Sequence, residues 1–230
     1  MTTRKAILLK YAENVLQDFR LDLDFGLVKS FLCSAPGGCF DENEIIELRT
    51  NEIENEEELF KIIDHVDYSF IYFSGHSSFF DRKVHLPLKH KFMSVFDLNR
   101  ESKKQWLFFD TCRTGLDCII SPEFSFERAV IQFSKKNEES HKQWLDDINT
   151  LPNSTHINYY TTELEKHAFS NEHGGYGTQL FFTTLSEILQ NRPDIHLKEL
   201  VAIIGEKKDV LQKGMLFSSN EGDIIFRRMI

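Results

Sequence analysis

The sequence predicts an α/β fold in which helices cover both faces of a mostly parallel central sheet of about six strands. Two segments, residues 68–74 (YSFIYFS) and 106–110 (WLFFD), are continuous runs of apolar and aromatic residues. Such runs are typical of strands buried on both faces, as in parallel sheets. Segments with apolar residues at helical spacing separate the candidate strands. This alternation of strands and helices favours a three-layer α/β/α sandwich.

The remaining elements follow from short apolar runs and from helical periodicity. Further strands are predicted at residues 4–9, 44–49, 157–161 and 223–230, the last of them at a sheet edge. Helices are predicted at residues 22–32, 56–66, 178–189 and 197–211. Residues 79–100 are mixed in character, and we expect irregular structure there.

Length and composition indicate one globular domain over residues 1–230. Hydrophobic residues make up 41% of the chain, enough for a substantial core. The 27 basic and 36 acidic residues give a net charge of −9, which disfavours nucleic acid as a partner. No apolar stretch reaches membrane length, so no membrane partner is expected. Four cysteines are too few for a disulfide-held secreted domain, which favours a reducing, cytoplasmic compartment. Cys33 and Cys39 are not spaced with any histidine as a zinc set, and we assign no metal and no cofactor.

Two neighbouring strand ends carry residues suited to nucleophilic catalysis. Gly75, His76 and Ser77 follow the first buried strand, and Cys112 follows the second. Ligands bind at the carboxyl ends of strands in open α/β sheets. A cysteine nucleophile needs a nearby base, which histidine supplies. The sequence therefore predicts a His76–Cys112 pair at one edge of the sheet. The alternative interpretation is an inert buried cysteine beside an ordinary loop histidine.

Several segments resemble the caspase–metacaspase family. Residues 73–77 (FSGHS) resemble its strand-glycine-histidine signature, and residues 110–115 (DTCRTG) resemble its aspartate-x-cysteine element, in the family's order. Residues 177–185 (GTQLFFTTL) resemble the family's glycine-phenylalanine-threonine helix start. The pattern is closer to metacaspases and bacterial members than to animal caspases, in which glutamine-alanine precedes the cysteine. The resemblance implies a caspase-like fold and cysteine endopeptidase activity, with a protein or peptide as substrate.

The same resemblance implies a role for each site residue. Cys112 would attack the scissile carbonyl, and His76 would protonate the leaving amine. Backbone N–H groups of Cys112 and of Ser77 or Gly75 would form the oxyanion hole, although Ser77 stands where family members usually carry glycine. Asp110, two residues before the cysteine, would bind an Arg or Lys of the substrate, before the cleaved bond. The alternative is that Asp110 caps the loop.

The connection 121–155 is long for a structureless loop and is a candidate processing linker. It contains Lys135 and Lys136 in a polar stretch, where a protease specific for basic residues could cleave itself. The alternative interpretation is the start of a surface helix that continues to Trp144 and Ile148.

Two other functions stay open at this point. The chain could be an inactive caspase-homology adaptor or scaffold, for which Ser77 is a mild indication. It could also be a separase-like protease of the same clan with a different specificity. Family analogy alone suggests proteolytic signalling or antiviral defence in bacteria, with an activating or regulatory protein as a further partner.

Overall fold

The computed structural model describes residues 2–101, 103–111, 131–163, 166, 168–171, 173–207 and 212–228. The strands in this part of the chain are β1 (Arg4–Tyr11), β2 (Ile45–Arg49), β3 (Tyr68–Gly75), β4 (Ser78–Phe80), β5 (Lys83–Pro87), β6 (Phe92–Ser94), β7 (Lys104–Thr111), β8 (His156–Tyr160), β9 (Ser170–Asn171), β10 (Gly174–Gly175), β11 (Asp194–His196), β12 (Met215–Ser218) and β13 (Ile225–Arg227). The α-helices are α1 (Val15–Leu32), α2 (Glu57–Asp64), α3 (Glu138–Thr150), α4 (Tyr176–Asn191) and α5 (Leu197–Glu206).

Six of these strands form the central sheet, in the order β12-β8-β7-β3-β1-β2. Every neighbouring pair is parallel except β12 and β8, which are antiparallel. Helices cover one face, and a helix with a small sheet covers the other. The predicted α/β class and the mostly parallel six-stranded sheet are confirmed.

Alternate side chains of each strand enter two separate cores, as the two-residue period of a strand requires. Leu8 and Phe108 belong to the core beneath α1, α3, α4 and α5. Ile7 and Phe109 belong to the core beneath α2 and the sheet of β4, β5 and β6. Both faces of the central strands are therefore buried, which explains their uninterrupted apolar sequences.

Aromatic rings fill the larger core. The Phe108 ring lies 5.4 Å from Tyr72, 5.0 Å from Tyr159 and 5.0 Å from Phe181, measured between ring centroids. All three contacts are edge-on, the arrangement that aromatic quadrupoles favour. The high phenylalanine content of the chain thus supplies volume and directional packing at the centre of the sheet.

The expectation of irregular structure at residues 79–100 is wrong. Strands β4, β5 and β6 form a three-stranded antiparallel sheet there. The turn between β4 and β5 places Asp81 and Arg82 at φ 50° and 60°, as a two-residue hairpin turn of the primed type requires. Asp-Arg lacks the glycine that normally marks such a turn, so the sequence gives no hairpin signal.

Helix α1 begins seven residues earlier than the predicted start at residue 22. The Asn14 side chain accepts a hydrogen bond from the Gln17 backbone N–H at 2.9 Å and caps the helix. The first turn carries Val15 and Leu16, both exposed, so it does not continue the apolar stripe that faces the core. Periodicity alone therefore missed this turn.

The C-terminal elements also differ from the prediction. The antiparallel edge strand of the central sheet is β12, whereas β13 pairs with β11 in a separate two-stranded sheet. Phe226 of β13 is buried and packs on Phe31 and Trp106 below the central sheet. Its apolar character therefore reflects core packing rather than a sheet edge. Helix α5 ends at Glu206, and residues 208–211 lie outside the described part of the chain.

The described part of the 121–155 connection contains the whole of α3, which buries Trp144 and Ile148, as the alternative interpretation expects. Asn137 caps α3 by accepting the Ser140 backbone N–H at 2.7 Å. Lys136 pairs with Asp41, and Lys135 forms an isolated β-bridge with Ser34. Residues 112–130 lie outside the described residues, and self-cleavage in this connection stays a prediction. None of the described helices is both long and apolar enough to cross a membrane.

Candidate active site

A cavity of about 510 Å³ opens at the carboxyl ends of β1, β3 and β7. One face of α1 forms its first wall, from Leu16 to Asp24. Strands β5 and β6 contribute Pro87 and Phe92 on another side, and Gly175 lies against the cavity just before α4. This is the position at which open α/β sheets bind their ligands.

The ends of β3 and β7 lie at the same level of the sheet. Gly75 and Thr111 are Cα partners in the parallel ladder, and the Thr111 hydroxyl donates to the Gly75 carbonyl at 2.7 Å. His76 and Ser77, the next residues after β3, line the cavity and are half-buried. Cys112 follows Thr111 in sequence and lies outside the described residues. The predicted neighbouring strands are therefore observed, and the His76–Cys112 pair itself stays a prediction.

Gly75 is required where the chain leaves β3. Its φ is +136°, a backbone angle that residues other than glycine rarely adopt. A Cβ at this position would lie 2.3 Å from the Tyr11 carbonyl oxygen of β1. The close approach of two strand ends thus fixes the backbone directly before His76.

Asp110 is buried at the end of β7, where it lines the cavity. Its Oδ2 accepts the Thr178 backbone N–H at 2.8 Å and the Thr178 hydroxyl at 2.6 Å. Its Oδ1 accepts the Thr161 hydroxyl at 2.6 Å and the Gln212 amide at 3.4 Å. The carboxylate therefore occupies the N-terminus of α4, where N–H groups and the helix dipole favour negative charge. The element that Asp110 caps is α4; the loop after β7 lies outside the described residues, so capping of that loop and the role in substrate binding both stay predictions.

A second buried carboxylate, Asp24 of α1, lines the same cavity. Both of its oxygens lie within hydrogen-bond distance of the Gly175 backbone N–H, at 2.8 and 3.0 Å, and the Ser74 hydroxyl donates to Oδ2 at 3.1 Å. Complete burial and the neighbouring Asp110 carboxylate raise the pKa of Asp24 well above its usual value. Asp24 thus accepts hydrogen bonds from fewer donors than the neighbouring Asp110, although both carboxylates are buried.

The glycine pair of β10 allows these two carboxylates to share one short segment of backbone. A Cβ on Gly175 would lie 2.3 Å from Oδ2 of Asp110 and 3.1 Å from Oδ2 of Asp24. A Cβ on Gly174, whose φ is +111°, would lie 2.2 Å from Oδ1 of Asp24. A side chain at either position would displace a carboxylate, so both glycines are needed. We call Asp24 and Asp110 the acidic floor of the cavity.

Of the described histidines, His76 is the one that lines the cavity. Others have structural partners: His156 contacts the Arg100 carbonyl at 2.9 Å, and His85 stacks on Phe80. No group of three or more His, Cys, Asp or Glu side chains within the described ranges is arranged to hold a metal ion.

Sequence reasoning missed Asp24, although a signal was present. Asp24 lies on the apolar stripe of α1 with Leu21, Phe25 and Val28, all of which are buried. A carboxylate at a core position of an amphipathic helix is costly unless it has a partner or a function. That misplaced charge was the available clue.

The molecule has a caspase-like fold. Solved structures that are similar to it include caspase-1 from Spodoptera frugiperda, with a TM-score of 0.53, 12% identity, and coverage of 94% of this chain and 86% of that chain. Protein GSU0716 from Geobacter sulfurreducens matches with a TM-score of 0.61, 11% identity, and coverage of 98% and 97%. At these identities the likeness concerns the fold. No family model and no curated protein sequence matches the chain.

Replacing Asp by Asn should have opposite effects on stability at positions 110 and 24. In Asp110→Asn, an amide NH2 replaces one carboxylate oxygen, so either the Thr178 N–H or the Gln212 amide loses its acceptor. Neither group can act as an acceptor instead, and the free energy of unfolding should fall by about 1–3 kcal/mol. Asp24→Asn keeps an oxygen for the Gly175 N–H and removes a desolvated charge. We expect it to raise the urea midpoint at neutral pH.

The pH dependence of stability gives the control. Because the pKa of Asp24 is raised on folding, the folded protein holds the extra proton between the usual aspartate pKa of ~3.9 and the raised value. The stability of the wild type should therefore fall as pH rises through this window, and Asp24→Asn should lack that part of the fall. Equal destabilisation of both variants at every pH would contradict this description of the site.

Proposed function

We propose that this chain is a caspase-like cysteine endopeptidase that cleaves proteins after a basic residue. The observation that carries the proposal is the cavity itself. Its floor holds the Asp24 and Asp110 carboxylates, His76 lines it, and Cys112 follows in sequence directly after β7, the strand that carries Asp110. A buried acidic floor beside a histidine, at the end of the strand that Cys112 follows in sequence, suits a cationic side chain next to a scissile bond.

The proposed reaction has two steps. The Cys112 thiolate attacks the scissile carbonyl carbon, the C–N bond breaks, and His76 gives the leaving amine its proton. Neutral His76 then takes a proton from water as the water oxygen attacks the thioester carbon; the C–S bond breaks, which releases the acid product and restores the Cys112 thiolate and the protonated His76. Backbone N–H groups of Cys112 and of Ser77 or Gly75 would stabilise the oxyanion in both steps. The half-buried position of Ser77 in the cavity lining is compatible with this role.

Specificity for a basic residue follows from the charge of the floor. Asp24 accepts three hydrogen-bond contacts from only two donors, the Gly175 N–H and the Ser74 hydroxyl, so it has acceptor capacity left for a guanidinium or ammonium group. Asp110 adds negative charge but has most of its capacity satisfied. We therefore infer that Asp24 makes the direct contact with the substrate cation and that Asp110 acts mainly through its charge and by holding α4.

One residue favours a second specificity. Arg20 of α1 lines the same cavity, and its buried Nε has no hydrogen-bond partner among the described residues. A guanidinium in this position could pair with an acidic residue of the substrate, as arginines do in animal caspases. Two carboxylates against one guanidinium favour the basic residue, and cleavage after aspartate is the competing candidate.

The biological setting is proposed on family analogy. A cytoplasmic enzyme in proteolytic signalling or antiviral defence, controlled by an activating or regulatory protein, fits the caspase-like fold. The inactive adaptor and the separase-like protease remain the competing functions. Peptidase activity and the substrate specificity of that activity distinguish the three functions.

Covalent labelling and turnover test the activity. A peptide chloromethyl ketone ending in Arg should alkylate Cys112, and Cys112→Ala should abolish the adduct in mass spectrometry. Cys33→Ala is the matched control, because burial raises the pKa of the half-buried Cys33 thiol and leaves it a poor nucleophile.

Turnover assays with peptides ending in Arg, Lys, Asp or Leu test the specificity. Asp24→Asn should lose at least tenfold in kcat/KM for the Arg peptide, and Arg20→Gln should not.

The contrary outcomes point to the alternatives. No labelling and no turnover of any peptide would support the adaptor. Preferred turnover of the Asp peptide, lost in Arg20→Gln, would establish the second specificity instead.

The pH profile tests the contact with Asp24. Asp24 is neutral below its raised pKa and anionic above it, so the affinity for a cationic residue should rise with pH through that value. KM for the Arg peptide should therefore fall as pH rises, whereas KM for the Leu peptide should not follow this trend. In Asp24→Asn the fall for the Arg peptide should disappear. An unchanged profile in this variant would show that another group binds the cation.

A further inference from the structure

Two of the exposed large apolar side chains of the described residues line the cavity. Seven such side chains are exposed, and five of them lie on the first turns of α1 and on the small sheet of β4, β5 and β6; these are Val15, Leu16, Phe19, Phe80 and Phe92. Leu16 is 62% exposed and Phe92 is 47% exposed, and both line the cavity together with Pro87. We call Leu16, Pro87 and Phe92 the apolar rim. Leu16 and Phe92 are the exposed members of the rim and Pro87 is buried, so the rim presents two apolar side chains to a ligand in the cavity.

Helix α1 connects the rim with the acidic floor. Leu16, Arg20 and Asp24 all line the cavity at intervals of four residues, so they lie on one face of the helix. Leu16 and Asp24 are eight residues apart, about 12 Å along the helix axis. A basic side chain that reaches Asp24 therefore passes along this wall, and its backbone is left near the level of the rim.

The first turns of α1 are held in place although their apolar side chains are exposed. The buried Lys10 ammonium at the end of β1 pairs with Asp18 at 2.9 Å and also with Asp22. Arg49 of β2 pairs with the other oxygen of Asp18 at 2.6 Å. These ion pairs fasten α1 to two strands of the central sheet, so Leu16 is presented from a fixed element.

The other side of the rim is equally well supported. Pro87 and Phe92 are Cα partners in the pairing of β5 with β6. The Phe92 ring contacts Phe80 edge-on at 6.0 Å, and Phe80 stacks on His85 with ring centroids 3.6 Å apart. The rim is thus two rigid apolar surfaces on either side of an opening that leads to a pair of acids.

We infer that the apolar rim binds a large apolar side chain two positions from the basic residue of the substrate. The inference rests on the proposed function, since it takes the acidic floor as the site of the basic residue. Neighbouring side chains of an extended peptide lie on opposite sides, so side chains two positions apart lie on the same side, about 6.6 Å from each other. With the basic side chain in the cavity, its immediate neighbours point away and the side chain two positions along lies on the side of the rim. The substrate class is a polypeptide segment in which a large apolar residue lies two positions before or after Arg or Lys.

Binding to the Cys112→Ala protein tests the rim separately from turnover. Fluorescence anisotropy would compare three labelled peptides, with Phe two positions before Arg, with Phe two positions after Arg, and with Ser at both of these positions. We expect at least one Phe peptide to bind about tenfold more tightly than the Ser peptide. Leu16→Ser and Phe92→Ser should each remove most of this preference. Phe96→Ser is the matched control, because Phe96 is the same residue type, is 49% exposed and lies outside the cavity lining.

The outcomes distinguish this inference from the proposed function. Equal binding of all three peptides, or an equal loss in Phe96→Ser, would overturn the rim inference even if the wild type cleaves the Ser peptide. A Phe preference that both rim variants remove would support the inference even if the wild type cleaves nothing, which would reject the peptidase instead. Concentration-dependent dimers that both rim variants abolish in light scattering would identify a second copy of the chain as the occupant and overturn the inference.

Discussion

The in-register parallel pairing of β3 with β7 is the constraint on which the site depends. It aligns Gly75 with Thr111, and the hydrogen bond from the Thr111 hydroxyl to the Gly75 carbonyl fixes the last step of the ladder. The glycine geometry at position 75 allows β1 to approach the same point. A slip of one residue would reverse the face of every side chain in one of these two strands, and both faces are packed. The two buried cores therefore set the level at which each strand releases its next residue.

The two buried acids show how the fold accommodates a charged site. Asp110 is stabilised by the N-terminus of α4 and by threonine hydroxyls, so it contributes to stability as well as to the charge of the cavity. Asp24 is far less well compensated, and its raised pKa reflects the cost of ionising a fully buried carboxyl beside Asp110. A cationic ligand would reduce that cost. Such an imbalance between neighbouring carboxylates is typical of binding sites, in which some stability is given up for function.

The sequence predicted the central sheet well because its signal is strong and local. Runs such as WLFFD can be satisfied only where both faces are buried, and the observed strands match them closely. The strands of residues 78–94 were missed because their hairpin turn uses Asp81 and Arg82 at positive φ without glycine. The edge strand was misplaced because Phe226, an apolar residue near the C-terminus, serves the core rather than the sheet.

The site was only partly predictable for a different reason. His76 and Asp110 were found because each lies directly at the end of an obvious strand. Asp24 and Arg20 come from a helix, and only the three-dimensional packing of α1 against the ends of β1 and β3 brings them to the cavity. The exposed start of α1 was not predicted because Val15, Leu16 and Phe19 do not face the core, and Leu16 lines the cavity instead.

The most direct test of the account is a crystal structure of the protein alkylated by the Arg-ended chloromethyl ketone. The account predicts a bond between Cys112 Sγ and the inhibitor methylene, with the His76 imidazole facing the same carbon. It also predicts the inhibitor guanidinium within hydrogen-bond distance of Asp24. An adduct on another residue, or an arginine side chain that lies outside the cavity while Asp24 keeps only its present partners, would contradict it.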